Sequence, residues 1–295
     1  MQPFQCPVCG NTVEASALFQ CKDYSVSGEI FEICICRECL FAVTCPQPDS
    51  EEIGKYYQSE DYVSHSETTK GIVNKLYRVV RRKNTMDKLA LVNRFSAHHG
   101  DLLDVGCGTG YFLSVCRQDG WRVDGVELSD LARSKAEKRT EQVLFSSTDA
   151  LEVTGKRFDI ITLWHVFEHL YDINASFVQL KRLLKPDGTL ILALPNFTGA
   201  DAGHYKEFWA AYDVPRHLSH FSPKAVSLLA GKHGMKIDSV VPMKFDAFYV
   251  SMLSEGLQGK GKIAALLNGF RQGFLSNYKA GKDGNYSSLI YILKL

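Results

Sequence analysis

Three sets of side chains in this sequence have the types and spacing that chemistry requires. Cys6-Pro7-Val8-Cys9 and Cys36-Arg37-Glu38-Cys39 are two C-x-x-C knuckles. Their four thiolates could close a tetrahedral zinc site, which would stabilise a segment too short to build its own core. Cys21 and Cys34 could substitute in that ligand set, although the alternation of FEICIC turns Cys34 inward like a strand residue. The second set is Asp104-Val105-Gly106-Cys107-Gly108-Thr109-Gly110, followed by Glu127. Closely spaced glycines admit a ligand against bare backbone, and the helix expected after them would present free N–H groups to an anionic moiety. The spacing is G-x-G-x-G rather than the G-x-G-x-x-G of dinucleotide-binding loops, which argues against a nicotinamide cofactor. Glu127 ends the next apolar run, where a carboxylate can accept both hydroxyls of an adenosine ribose.

The third set is histidine-rich. In His165-Val166-Phe167-Glu168-His169 the polar residues fall at i, i+3 and i+4, so a helix would put all three on one face. They could then supply a general base, since histidine titrates near neutrality, or hold a divalent cation. Glu168 and His169 at the start of a helix, making capping or packing bonds, are the plainer reading. The later stretch Tyr212 to His220 carries Arg216 and His217 in a loop before a helix capped by Ser222, with Pro223 in its first turn. Loops at the carboxyl ends of strands are where open α/β sheets place substrate, so Tyr212 and His217 are candidate acceptor contacts.

These groups need elements to hold them. From Asp101 onward short apolar runs alternate with helical segments: LLDVG, Phe112 to Gln118, WRVDGVEL, Leu131 to Arg139, QVLFSS, FDIITLW, Ile173 to Leu184 and TLILALP. Such alternation predicts an α/β fold with a mostly parallel sheet covered by helices. Leu183 to Gly188 reads as a helix end and turn. Pro223 to His233 reads as a helix, with strands at Met235 to Pro242 and Ser287 to Leu293, and residues 244–284 form a helical insertion before the last strand. Ile72 to Phe95 is apolar at helical spacing and reads as a connector. Composition changes near Pro46 and Pro48, giving three expected parts: a cysteine-rich zinc module at 1–48, a linker and helical lid at 49–99, and a catalytic core at 100–295.

DLLDVGCGTGYF followed by VDGVELS resembles the class I S-adenosylmethionine-dependent methyltransferases, over roughly residues 100–240. The resemblance implies a Rossmann-like fold whose last strand is antiparallel, with S-adenosylmethionine as cofactor. It implies that Gly106, Gly108 and Gly110 line the methionine and ribose part while Asp104 orders the loop. Glu127 would grip the ribose and Leu128 would pack on the adenine. Asp149 and Ala150 would meet the adenine edge, and Trp164 and His165 would face the donor methyl. His165, His169 and His217 are the candidate catalytic residues. The His-x-x-Glu-His stretch is similar to the Glu-x-x-Glu-His of quinone-biosynthesis and small-RNA terminal methyltransferases, with His165 replacing the first glutamate and softening the set.

The cysteine module, with Cys6, Cys9, Cys36 and Cys39 as zinc ligands, and the linker YYQSEDYVSHS together resemble bacterial methyltransferases with an N-terminal zinc-binding domain. These act on sugars and other small molecules, and the resemblance offers Tyr62 as a lid contact. The resemblance implies a small-molecule acceptor, with a nucleotide-linked sugar as one candidate and O-methylation favoured. An RNA methyltransferase is the alternative, supported by Lys75, Arg78, Arg81, Arg82 and Lys83 on one helix. Against it, 34 basic and 33 acidic residues leave a formal charge of +1, and LWHV follows the fourth strand in place of Pro-Pro-aromatic. A non-catalytic cofactor-binding scaffold is the third class. No secretory signal is seen and no run approaches about 18 apolar residues, so a cytoplasmic protein with no membrane partner is expected.

Overall fold

The computed structural model describes residues 4–13, 17–57, 72–96 and 98–295, with 72–80 described by backbone alone. Tyr62, and the side chains of Lys75 and Arg78, lie outside what is described. Contacts divide the chain into two compact units, 1–65 with 167–174 and 193–291, and 66–166 with 175–192 and 292–295.

In the first unit, β1 (Phe4–Gln5) and β2 (Thr12–Val13) pair in a small ribbon. β3 (Ala17–Lys22), β4 (Ile30–Cys36) and β5 (Phe41–Cys45) form an antiparallel meander. Cys34 and Cys36 are both buried in β4, one residue apart by period two. A short strand from far downstream, β10 (Ser219–His220), completes the meander by pairing antiparallel with β5, Ser219 opposite Val43 and His220 opposite Ala42. The apolar side chains Phe31, Ile33 and Tyr56 share a buried cluster with Tyr205, Trp209 and Tyr212, so the early and late segments bury one core. Also here are α6 (Ala200–Tyr205), α7 (Pro223–Lys232), β11 (Lys236–Pro242), and the helical pair α8 (Lys244–Leu257) and α9 (Lys262–Asp283). Ser222 caps α7 by accepting the Ala225 N–H, with Pro223 in the first turn.

The second unit holds α1 (Ile72–Asn93), β6 (Asp101–Val105), α2 (Tyr111–Gln118), β7 (Arg122–Val126), α3 (Asp130–Thr140), α4 (Thr148–Glu152) and β8 (Phe158–Trp164). α5 (Ile173–Leu183) and β9 (Leu184–Pro195) follow in the chain. With β12 (Ser288–Lys294), the strands run in the order β11-β12-β9-β8-β6-β7, mostly parallel with an antiparallel last strand. β6 pairs in parallel with both β7 and β8, so Val105, Val126 and Leu163 lie level and the loops after them leave from one edge.

Two expectations fail locally. The run QVLFSS makes only an isolated bridge, Phe145 to Val126, and its Val143 is 85% exposed, so it has no second neighbour to extend a ladder. Leu184 already begins β9, so the helix passes into strand without the turn expected before Gly188.

Candidate active site and metal centre

The glycine loop has the backbone its residues were chosen to permit. Gly106, Gly108 and Gly110 all take positive φ, at 70°, 55° and 71°. A Cβ on Gly106 would fall 2.4 Å from Val166 Cγ2, and one on Gly110 would fall 2.8 Å from the Ala136 Cβ, so both need glycine for space as well. Gly110 caps α2 without a side-chain hydrogen bond, leaving the helix start free of side-chain acceptors.

Glu127 is built into this loop. Its Oε2 accepts the Gly108 N–H at 2.8 Å and its Oε1 accepts the Ser129 N–H at 2.9 Å. Each oxygen keeps a further lone pair for a hydroxyl donor. Leu128 beside it is 83% exposed, a large apolar side chain offered to solvent at the edge from which the loops leave. Behind the loop, Asp104 is buried and accepts the Thr162 hydroxyl at 2.6 Å. Burial pushes its carboxyl up to about 7, against the Thr162 hydrogen bond and the Lys88 charge, with Glu127 adding to the rise.

The residues expected at the adenine edge and the methyl are placed as follows. Asp149 lies in the first turn of α4 and accepts the Gln179 amide at 2.6 Å, while Ser147 is the cap, taking the Ala150 N–H at 3.1 Å. Asp149 and Ala150 are exposed. Trp164, at the end of β8, stacks edge-on to Phe112 at 5.6 Å and lies under the Lys88 ammonium at 4.4 Å. Its buried indole N–H has no hydrogen-bond acceptor among the described residues, a donor that a ligand oxygen would satisfy. Lys88 and Thr162 escaped the reading of the sequence, because neither lies in a motif.

The expected helical face at His165, Glu168 and His169 does not form. His165 is left-handed with φ 57°, and only a 3-10 turn spans Phe167–His169. A three-residue turn has no i, i+4 pair to align, so the ligand set is corrected. The donors that come together are Glu168, His169 and His217, whose atoms lie within 4.8 Å of one another. His217 Nδ1 is 2.9 Å from the Ala211 carbonyl and His169 Nδ1 is 2.9 Å from the Arg216 carbonyl. A carbonyl can only accept, so each Nδ1 carries a proton. The rings meet edge-on at 4.6 Å, and His217 Nε2 is 4.0 Å from Glu168 Oε1. Burial, aided by His169, pushes His217 down to about 4 against the pull of Glu168. Tyr212 is buried, and burial raises its phenol beyond the ordinary tyrosine range, which fits a packing role.

The segment bearing His217 is held by β5. Buried Thr44 donates its hydroxyl to the His217 carbonyl at 2.6 Å, so the His220 Nε2–H, 3.0 Å away, must donate to Thr44. The Thr44 N–H also reaches the Leu218 carbonyl, while the Leu218 N–H reaches that of Glu168. Buried Arg216 joins Asp213 at 2.6 Å, Asp23 at 3.1 Å and the Tyr56 carbonyl at 3.0 Å.

The four cysteines converge. Cys6 and Cys39 Sγ lie 3.5 Å apart, Cys9 and Cys36 Sγ 3.6 Å, and all four are within 4.8 Å. Zn–S bonds of about 2.3 Å at tetrahedral angles give edges of about 3.8 Å, so the set fits zinc. Gly10 and Leu40 stand at the same place after their knuckles. Both have positive φ, 77° and 55°, with N–H groups on the Cys6 and Cys36 carbonyls at 2.9 and 2.8 Å. Cys21 and Cys34 are not in the cluster.

Comparison with known proteins places the chain in a family. The sequence profile of the family described as "Methyltransferase domain" matches residues 80–240. A malonyl-[acyl-carrier protein] O-methyltransferase of Serratia marcescens is 30% identical over 141 residues, 45% of this chain and 52% of that protein. A ubiquinone biosynthesis O-methyltransferase of Coxiella burnetii is 28% identical over 155 residues, 50% of this chain and 63% of that protein. The chain thus spans about half to two thirds of the length of these curated relatives. The fold is similar to that of a magnesium protoporphyrin IX methyltransferase from Synechocystis PCC 6803 with bound SAH, at TM-score 0.54 and 16% identity, covering 84% of this chain and all of that one.

Proposed function

Since the chain belongs to the methyltransferase-domain family, we propose that it transfers the methyl group of S-adenosylmethionine to a small-molecule acceptor, with oxygen the favoured atom. One observation carries the cofactor assignment: a loop of three positive-φ glycines whose central N–H is bonded to Glu127, leaving that carboxylate a free lone pair on each oxygen. When bound, the cofactor supplies an electrophilic methyl. The chain's part is to hold and orient. Glu127 takes the ribose hydroxyls, Gly106, Gly108 and Gly110 admit the methionine and ribose part, and Asp104 braces the loop from behind. Exposed Leu128 covers the adenine, Asp149 and Ala150 meet its edge, and Trp164 gives its N–H to the ligand.

His165, His169 and His217 are the proposed acceptor-side residues, since an oxygen acceptor must lose a proton as it attacks. Backbone carbonyls accept the Nδ1–H of His169 and of His217, and burial favours the neutral form of His217, which supports the reading. Cys6, Cys9, Cys36 and Cys39 are the proposed zinc ligands.

The acceptor class rests on two likenesses. Curated relatives are named for O-methylation of malonyl-[acyl-carrier protein] and in ubiquinone biosynthesis. A nucleotide-linked sugar rests on the likeness of the cysteine module alone. A labelled-methyl assay against metabolite extracts, hydroxylated quinone precursors, acyl carriers and ribosomal RNA separates these. Methyl incorporated into a small acceptor is the expected result. Label in RNA would favour the alternative enzyme, and cofactor binding with no turnover on any pool would favour a scaffold. A second reading has its own observation: Glu168, His169 and His217 each bring one possible ligand atom within 4.8 Å of the others, a set suited to a divalent cation.

A further inference from the structure

The hairpin of α8 and α9 carries its large apolar side chains on the side facing solvent. On α9 the buried positions are small, Ala265, Gly269, Gly273, Ser276 and Ala280. They let α8 approach closely: a Cβ on Gly269 would lie 2.6 Å from the Met252 Cα, and one on Gly273 would lie 2.7 Å from the Phe248 Cα. Ile263, Leu266, Leu267, Phe270, Phe274 and Tyr278 instead form an outward stripe, each 55% to 77% exposed. α8 widens it with Phe245, Tyr249 and Leu253, each over 40% exposed. This reverses the ordinary amphipathic arrangement, in which large residues fill the core. Apart from Phe270, whose ring lies 5.0 Å from that of Phe248, the described residues leave this stripe uncovered, and an exposed apolar patch of this kind marks an interaction site.

The charges around the stripe say what it meets. Lys262, Arg271, Lys279 and Lys282 are exposed on α9, with Asp283 the one exposed acid on that helix. Lys282 stands 5.2 Å over the Tyr278 ring. Glu255, the acid near the turn of the hairpin, is buried and already paired with Lys260. A second copy docked face to face would set cationic rims against each other, a repulsive arrangement. A surface of lipid phosphates above hydrocarbon complements both the rim and the stripe. Among the described residues no helix is long and apolar enough to cross a membrane, so a docked helix would lie along the surface. We propose that the outer face of the α8–α9 hairpin docks on an anionic phospholipid bilayer, with the apolar stripe at the acyl boundary and the lysines and arginine at the headgroups. This stands independently of the acceptor and of methyl transfer.

Co-sedimentation of the full chain with phosphatidylcholine vesicles, and with vesicles containing about one quarter phosphatidylglycerol, tests the proposal. The chain should pellet with the anionic vesicles, less so at high salt, and remain in solution with the neutral ones. The double variant Phe270→Asp, Phe274→Asp should lose binding. Arg271→Glu with Lys282→Glu, which leaves the stripe intact, should weaken it by roughly tenfold or more. Circular dichroism and cofactor calorimetry check that each variant is folded. No pelleting with anionic vesicles would overturn the proposal. So would equal pelleting with both vesicle types, or a dimer in analytical ultracentrifugation that the Phe270/Phe274 variant dissolves.

Discussion

Histidines 217 and 220 are held neutral by burial, at about 4 and about 3, while the unfolded chain would protonate them near 6.5. Between those values the unfolded state binds more protons, so each contributes stability that is present above pH 6.5 and lost as the pH falls toward 4. Asp104 has the opposite sign. Its folded pKa of about 7 exceeds the unfolded 3.8, so its contribution is full below 3.8 and lost as pH rises through 7. Two groups oppose one, and each proton is worth about 1.4 kcal/mol per pH unit. Urea unfolding between pH 4.5 and 6.5 should therefore show His220→Gln flattening the acid loss and Asp104→Asn steepening it. Equal pH slopes in all three proteins would show that these groups are solvated. The knuckles, glycine loop and Glu127 were legible in the sequence because each is a local pattern whose chemistry follows from spacing. The meeting of Glu168 with His217, and of Thr44 with His217 and His220, was not, because those partners lie far apart in the chain and are brought together by β10–β5 pairing and by the bond from the Leu218 N–H to the Glu168 carbonyl.

Elements explain what the cysteine module does beyond folding itself. Its second knuckle leads directly into β5, and β5 holds the strand and loop that carry His217 and His220. Purified protein should contain about one zinc per chain if the Cys₄ set alone binds, or about two if Glu168, His169 and His217 hold the same metal. Cys36→Ser should remove the first, and Glu168→Gln only the second. Full occupancy in a protein lacking both Cys36 and Cys39 would contradict the Cys₄ assignment. Thr44→Val should destabilise the chain by about 1–3 kcal/mol, since it strips a buried carbonyl and a buried imidazole of their partner, and denaturant titration reads this directly. An unchanged midpoint would mean the segment is held elsewhere. Helix and strand periodicity located most elements within a residue or two, as at 223–232 and 288–294. It failed at 165–169, where spacing suited to a helix meets a left-handed residue, and at QVLFSS, where an apolar run meets β7 through a single bridge.

At the scale of the whole molecule, contacts divide the chain into two compact units that each draw on distant parts of it. Composition marks where cysteines end, but it carries no sign that residues 193–291 share a core with them. The central claim, that the glycine loop and Glu127 form an S-adenosylmethionine site, can be measured without knowing the acceptor. Isothermal titration calorimetry with S-adenosylmethionine, S-adenosylhomocysteine and NAD, on the wild-type chain and on Glu127→Ala, tests it most directly. The expected result is micromolar-range binding of both adenosyl ligands and none of NAD. Glu127→Ala should weaken that binding by about 1.5–3 kcal/mol, because two ribose hydroxyls lose their acceptor. Undiminished affinity in Glu127→Ala, or preference for NAD, would contradict the account.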